Sequence, residues 1–273
     1  MEKNLFKKIA IVAFLLPSLL FAVRPFVTDD ARIIDYGQVE FEAWSEFTRD
    51  SEGNRANAQH IMGGVTLNNW FQIISGAGIG KDVEGQTTMT DFIFQPKILF
   101  KDAKEDGTPG LALLTGLKLP TGHGDLSDSA TGAFIIGVLT TRLLDDWVLL
   151  HINTGIRSAF LNGNRKDNFQ WGVGADIGVI HQDFRYIAEL FSGDPFETDT
   201  PKIAAQTGFR YLYSDYLNFD ITAGAAPEDH HRRDFSGDNE YLVQFGVRVL
   251  FDAFTKEGQK SRPWGPTGLY GER

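Results

Sequence analysis

Apolar and polar residues alternate with a period of two through nearly all of this chain after residue 22, in segments of ten to twelve residues. In 37–47, Val39, Phe41, Ala43, Ser45 and Phe47 share one face and Glu40, Glu42, Trp44 and Glu46 the other. In 240–251, Tyr241, Val243, Phe245, Val247, Val249 and Phe251 oppose Glu240, Gln244, Gly246 and Arg248. Such a pattern does not sit as a helix. Twelve strands are predicted, at 37–47, 58–67, 71–80, 90–101, 109–120, 132–143, 147–160, 169–180, 184–192, 202–213, 217–226 and 239–251. In 109–120 and 132–143 both faces are apolar and the alternation blurs.

A soluble sandwich and a membrane barrel both need one apolar face per strand, so alternation alone does not separate them. Segment length does. Ordinary strands average about five or six residues, whereas a tilted strand needs about 9–11 to cross a bilayer. The even strand number points the same way. Short connections, such as Asn68-Asn69-Trp70 and Ser214-Asp215-Tyr216, alternate with the longer polar ones 48–57, 81–89, 121–131, 161–168, 193–201 and 227–238. Trp70, Trp147, Phe184 and Tyr216 each follow Asn or Asp at a short turn, and are expected to form an interfacial aromatic girdle. The expected fold is therefore all-β, a single antiparallel up-and-down transmembrane β-barrel over 37–251, with short turns in the periplasm and long loops outside.

Ile9–Ala22 is apolar, follows Lys3, Lys7 and Lys8, and contains Pro17. It reads as a secretory signal peptide over 1–22 rather than a membrane span. Residues 23–36 are then a periplasmic N-terminal segment and 252–273 a polar tail rich in Gly and Pro. Export, a bacterial outer-membrane location and insertion by the barrel-assembly machinery follow as expectations, with the lipid bilayer and a small-molecule solute as partners. A net charge of −10 argues against a nucleic-acid partner. The absence of cysteine removes disulfides, thiolate metal sites and thiol nucleophiles.

No constellation demands catalysis, a cofactor or a metal. Gly172, Gly174 and Gly178 loosely fit a dinucleotide loop but continue a strand, where small residues leave room inside a barrel. His230-His231 lies in a polar loop, and 124–131 lacks EF-hand spacing. Phospholipase barrels carry H-x-S in one strand; here His60, His123, His151 and His181 are followed two residues on by Met62, Asp125, Asn153 and Asp183.

Turning the polar face inward gives a lumen lined by Glu40, Glu42, Glu46, Asp91, Lys97, Lys118, Arg142, His151, Arg157, Asp176, Arg185, Glu189, Arg210, Asp220, Glu240 and Arg248. Acids crowd the first strand and bases strands five to seven, an arrangement that predicts a transverse field across a narrow pore. Inward glycines are expected to help keep that pore open. A closed, salt-bridged structural or adhesive barrel and a secreted glycan-binding sandwich are the alternatives.

The stretches Arg24-Pro-Phe-Val-Thr-Asp-Asp-Ala31, Gly37-Gln-Val-Glu-Phe-Glu42, Gly116-Leu-Lys-Leu-Pro-Thr-Gly122 and Leu143-Leu-Asp-Asp-Trp147 through His151-Ile-Asn-Thr-Gly155 resemble an outer-membrane family named after the meta-pathway of phenol degradation. That resemblance implies a barrel that is a channel for small organic, including aromatic, solutes, with no catalytic residues. One departure is that 22 residues follow Phe251, whereas outer-membrane barrels usually finish on an aromatic in the last strand.

Overall fold

The computed structural model describes residues 26–127, 129–196, 202–227 and 239–253. The expected signal peptide, the tail beyond Ala253 and His230-His231 lie outside the described residues.

Thirteen strands make twelve staves of one antiparallel sheet. They are β1 (Gln38–Arg49), β2 (Arg55–Asn68), β3 (Phe71–Lys81), β4 (Thr87–Met89), β5 (Phe92–Lys101), β6 (Gly110–Leu119) and β7 (Thr131–Leu143), followed by β8 (Val148–Leu161), β9 (Asn164–Gly178), β10 (Phe184–Phe191), β11 (Ala204–Ser214), β12 (Leu217–Pro227) and β13 (Asn239–Asp252). β4 and β5 are halves of one stave broken at Thr90-Asp91, since both pair with β3, through Ile79↔Met89 and Gly76↔Ile93. β1 pairs with β13 from Gln38↔Asp252 to Arg49↔Tyr241, which closes the sheet on itself. A closed barrel has no edge strands to protect, and the two-sheet sandwich is overturned.

The barrel is inside out relative to a soluble protein. Phe100, Ile135, Ile156 and Phe169 stand exposed on the outer wall, Phe169 at 63%. Glu40, at 2%, and Arg185, at 0%, are enclosed by the inner one. Among the described residues no helix is long and apolar enough to cross a membrane.

The connections depart from strict alternation. β8 and β9 are joined by Asn162-Gly163 alone, at φ 51° and 78°, the two left-handed positions of a type I′ hairpin turn. The predicted loop 161–168 is therefore strand on both sides of that dipeptide. β1 and β2 meet through Asp50–Asn54, where the Asp50 carboxylate accepts the Asn54 amide at 2.8 Å. The end carrying the β2–β3, β7–β8 and β11–β12 turns is called the turn end below; the opposite end is the loop end.

The segment expected in the periplasm is the largest correction. Residues 26–36 run down the inside of the barrel to the turn end, where β1 begins. The Ile34 amide reaches Gln72 Oε1 at 3.3 Å, and the Ala31 amide Thr140 Oγ1 at 2.8 Å. Asp29 and Asn153 exchange bonds of 2.7 and 2.8 Å, and Glu189 accepts the amides of Val27 and Thr28 at 2.9 and 2.7 Å. An irregular segment has no ladder of its own, so these side chains satisfy backbone donors that burial would otherwise orphan. From the loop end, residues 192–196 also turn inward. Gln170 Nε2 donates to the Gly193 carbonyl at 2.6 Å, and the Phe196 ring meets Phe134 edge-on at 5.0 Å. Ala31 and Phe196 thus share one buried cluster with Ala112, Leu114, Phe134, Ile136 and Val138. That is why β6 and β7 are apolar on both faces: one face looks out and the other is covered by these two segments.

Candidate functional site in the barrel interior

A strand places every second residue on the inner wall, and the barrel brings twelve such rows around the segment 26–36. The charged residues expected to line the lumen are found there, in local pairs rather than as opposed walls. Arg248 on β13 meets two acids of the adjoining β1, with its Nε 2.8 Å from Glu40 and 3.2 Å from Glu42. Asp176 on β9 bonds Arg185 on β10 and lies 3.4 Å from Arg210 on β11, which also holds Asp220 at 2.9 Å. Lys118 lies 3.3 Å from Asp91, whose carboxylate also accepts the Gly122 amide and the Ser127 hydroxyl at 2.9 and 2.7 Å.

Lys97 turns to the segment instead, 3.0 Å from Asp29 and 3.8 Å from Asp30. His151 Nδ1 lies 2.9 Å from Thr140 Oγ1, under the edge of the Phe26 ring. Arg157 donates to the Asp194 carbonyl, and Glu189 holds the segment's Val27 and Thr28 amides. Nearer the mouths, Glu46 accepts from Gln244 at 2.8 Å and Glu240 from Lys202 at 2.6 Å; Arg142 pairs with Asp146 at the turn end. Opposite charges thus neutralise each other on neighbouring strands, so the expected transverse field gives way to short dipoles. Buried ions survive only when paired and hydrogen-bonded in this way.

The inward glycines also do something other than widen a pore. A Cβ on Gly172 would stand 2.6 Å from Thr28 Oγ1, and one on Gly174 3.0 Å from the Phe26 ring. These two positions seat the segment. A Cβ on Gly64 would meet Glu40 Oε1 at 2.7 Å, so that glycine makes room for the Glu40–Gln72 pair.

Three cavities lie along the inner wall among the described residues. One of about 90 Å³ lies beside the segment, against Asp30, Glu42, Lys97, His151, Arg210 and Arg248, with room for several waters. Two larger ones open toward the loop end. One of about 320 Å³ is lined by Trp44, His60, Asp91, Lys118 and Phe196, and the Trp44 and His60 rings stack at 4.5 Å. The other, of about 420 Å³, reaches the rim at Arg49 and Tyr241. Both touch Val27, Glu46, Asp194 and Gln244, so they meet at the top of the segment.

Sequence reasoning missed Thr28, Asp29 and Asp30, because an irregular plug carries no periodicity. It also passed over Gln72, Asn153 and Gln206. Their signal was available, as uncharged amides in phase with the charged inner row. Of the expected girdle, Trp70, Phe184 and Tyr216 lie at the turn end, with Phe184 stacked on Phe209 at 5.3 Å and the Tyr216 hydroxyl 3.1 Å from Asp252. Trp147 departs from it. Its ring lies over Gly178 on the inner face, because Trp147 falls in phase with Leu149 and His151.

The fold has close counterparts among solved structures. The COG4313 outer membrane channel from Pseudomonas putida F1 superposes with a TM-score of 0.60 at 9% identity, covering 84% of this chain and all of that one. The NanC porin gives 0.50 at 10% identity, over 80% of this chain and all of its own. Outer membrane phospholipase A from Escherichia coli, at 0.45 and 10% identity over 80% of this chain and 98% of its own, is too distant in shape to bear on catalysis. At these identities the likeness is one of fold, that of bacterial outer-membrane barrels. No curated protein sequence is significantly similar to this one. One family profile spans residues 10–251, and by that match the chain belongs to the family described as Uncharacterised conserved protein UCP029691.

Proposed function

We propose that this barrel is a channel of the bacterial outer membrane, passing small organic solutes through its interior, with residues 26–36 as the constriction. A signal peptide at 1–22 and insertion by the barrel-assembly machinery belong to the same reading. The observation that carries it is the unfilled polar interior. A barrel serving only as scaffold gains nothing from water-sized space beside Asp30, Lys97 and Arg210, or from a vestibule that narrows onto Val27. The loop-end cavities of about 320 and 420 Å³ suit single small molecules and not oligosaccharides. The stacked Trp44 and His60 rings offer an apolar shelf beside the Asp91–Lys118 pair, which favours planar solutes bearing a charged or hydroxyl group. Aromatic solutes are also what the resemblance to the phenol meta-pathway family implies.

Liposome swelling tests this. Vesicles carrying the folded barrel are expected to swell fast in benzoate, slowly in glucose and not at all in sucrose. No swelling in any of the three, with the barrel folded by its heat-modifiable gel mobility, would leave the closed structural barrel as the better reading.

A further inference from the structure

Three cations stand together on the outer wall at the loop end. Arg49 on β1 is the direct cross-strand partner of Arg55 on β2, and Lys81 on β3 is the partner of Asn57, two residues along from Arg55. All three are exposed, and all share the outer face with Phe47 and Ile79. Like charges directly opposite each other in a sheet are destabilising, and no acid among the described residues offsets them. Among the described residues no carboxylate lies within ion-pair distance of Arg49, Arg55 or Lys81, whereas the outward Arg165 pairs with Asp167 at 2.7 Å.

The acids of the two adjoining turns are turned to other work. Asp50 accepts both amide groups of Asn54 at 2.8 Å, Asp82 accepts the Glu84 and Gln86 amides at 3.1 and 2.8 Å, and Glu84 accepts from Gln86 at 2.7 Å. Glu52, the fourth, makes no ion pair with the three cations. The same sector of wall is polar below the cations as well. Asn57 faces outward there, and Ser45 donates to Gln59. Below and beside these lie the exposed Phe47, Ile61 and Ile79, with Tyr241 next to Arg49 across the β1–β13 seam.

We propose that this sector is a binding site for a phosphorylated glycolipid of the outer leaflet, its phosphates bridging Arg49, Arg55 and Lys81 and its acyl chains lying on Phe47, Ile61 and Ile79. Guanidinium groups bind phosphate bidentately, and a bridging phosphate turns the repulsion of Arg49 and Arg55 into shared attraction. Asn57 and Gln59 supply hydrogen bonds at the level of the sugar. The assignment rests on the outer-membrane barrel proposed above, with its loop end facing outward.

The test uses the full mature chain, folded in detergent, with bis-phosphorylated lipid A as probe and native mass spectrometry as readout. The wild type is expected to retain one lipid A. The triple variant R49Q/R55Q/K81Q should retain it at least tenfold less, and K101Q/K104Q at the turn end should match the wild type. Dephosphorylated lipid A should be lost from all of them, and millimolar inorganic phosphate should fail to displace the phosphorylated form. Equal retention by the wild type and the triple variant would overturn the proposal, as would full displacement by inorganic phosphate. If the triple variant does not fold, Arg55→Gln alone serves, with an intermediate loss expected. Topology is read separately: Ser51→Cys should react with an impermeant maleimide on intact cells. Retention of lipid A with no labelling would overturn the orientation, and so the outer-leaflet lipid, while leaving an anion site; labelling without retention would overturn the site and leave the channel topology standing.

Discussion

Glu189→Gln is the sharpest perturbation of the plugged lumen. The Glu189 carboxylate accepts the Val27 amide on one oxygen and the Thr28 amide on the other, at 2.9 and 2.7 Å, with Gln206 as a third donor. A glutamine keeps one carbonyl, and its amide nitrogen has no lone pair for the second N–H. At least one hydrogen bond to a charged acceptor is lost, about 2 kcal/mol for this class of bond, or roughly 30-fold in the ratio of docked to undocked segment. The barrel wall itself should not suffer, because the ladders of β10 with β9 and β11 are backbone bonds and a buried charge is removed. The variant should therefore keep its unfolding midpoint in urea while its planar-bilayer recordings show large openings about 30-fold more often. Unchanged opening statistics in a folded variant would refute the latch. A fall in barrel stability with no change in opening would show that Glu189 supports the wall instead.

Other expectations concern the wall. Val173→Arg, on the outer face, should cost about 2–4 kcal/mol near the bilayer midplane, read from urea titrations in lipid vesicles; a negligible cost would mean that face is not in lipid. Arg185→Ala leaves the buried Asp176 with Arg210 as its remaining ion-pair partner and should destabilise by about 3–5 kcal/mol, with Asp176→Asn restoring part of the loss in the double variant. Additive losses would show that the pair is not coupled.

The barrel was legible because its grammar is local. Period two, strand length and turn dipeptides put the predicted staves within a few residues of the observed ones, and Asn162-Gly163 carried its own turn signal even where a longer loop was expected. The interior was legible only in part. Which charges face inward follows from phase, but which partner each one meets depends on register and shear, so opposed walls were expected where adjacent strands pair. The Gly172 and Gly174 positions were seen as spacers without their occupant. Phe26, Thr28 and Asp29 are recognised by long-range contacts to β5, β8 and β10, and no local pattern encodes those. The blurred alternation of β6 and β7 was the one hint that something apolar lay against the inner wall.

If the barrel is a channel, the segment 26–36 is the constriction of its ion-conducting lumen. A Cβ on Gly172 would stand 3.4 Å from the Thr28 Cβ, close to the separation a disulfide spans, and the chain has no other cysteine to compete. Single-channel recordings of the T28C/G172C barrel, in the Glu189→Gln background and before and after reduction, therefore test it most directly. The oxidised protein should show only small steps, and reduction should release large openings at least as often as in the parent variant. Large openings with the disulfide intact would contradict the account.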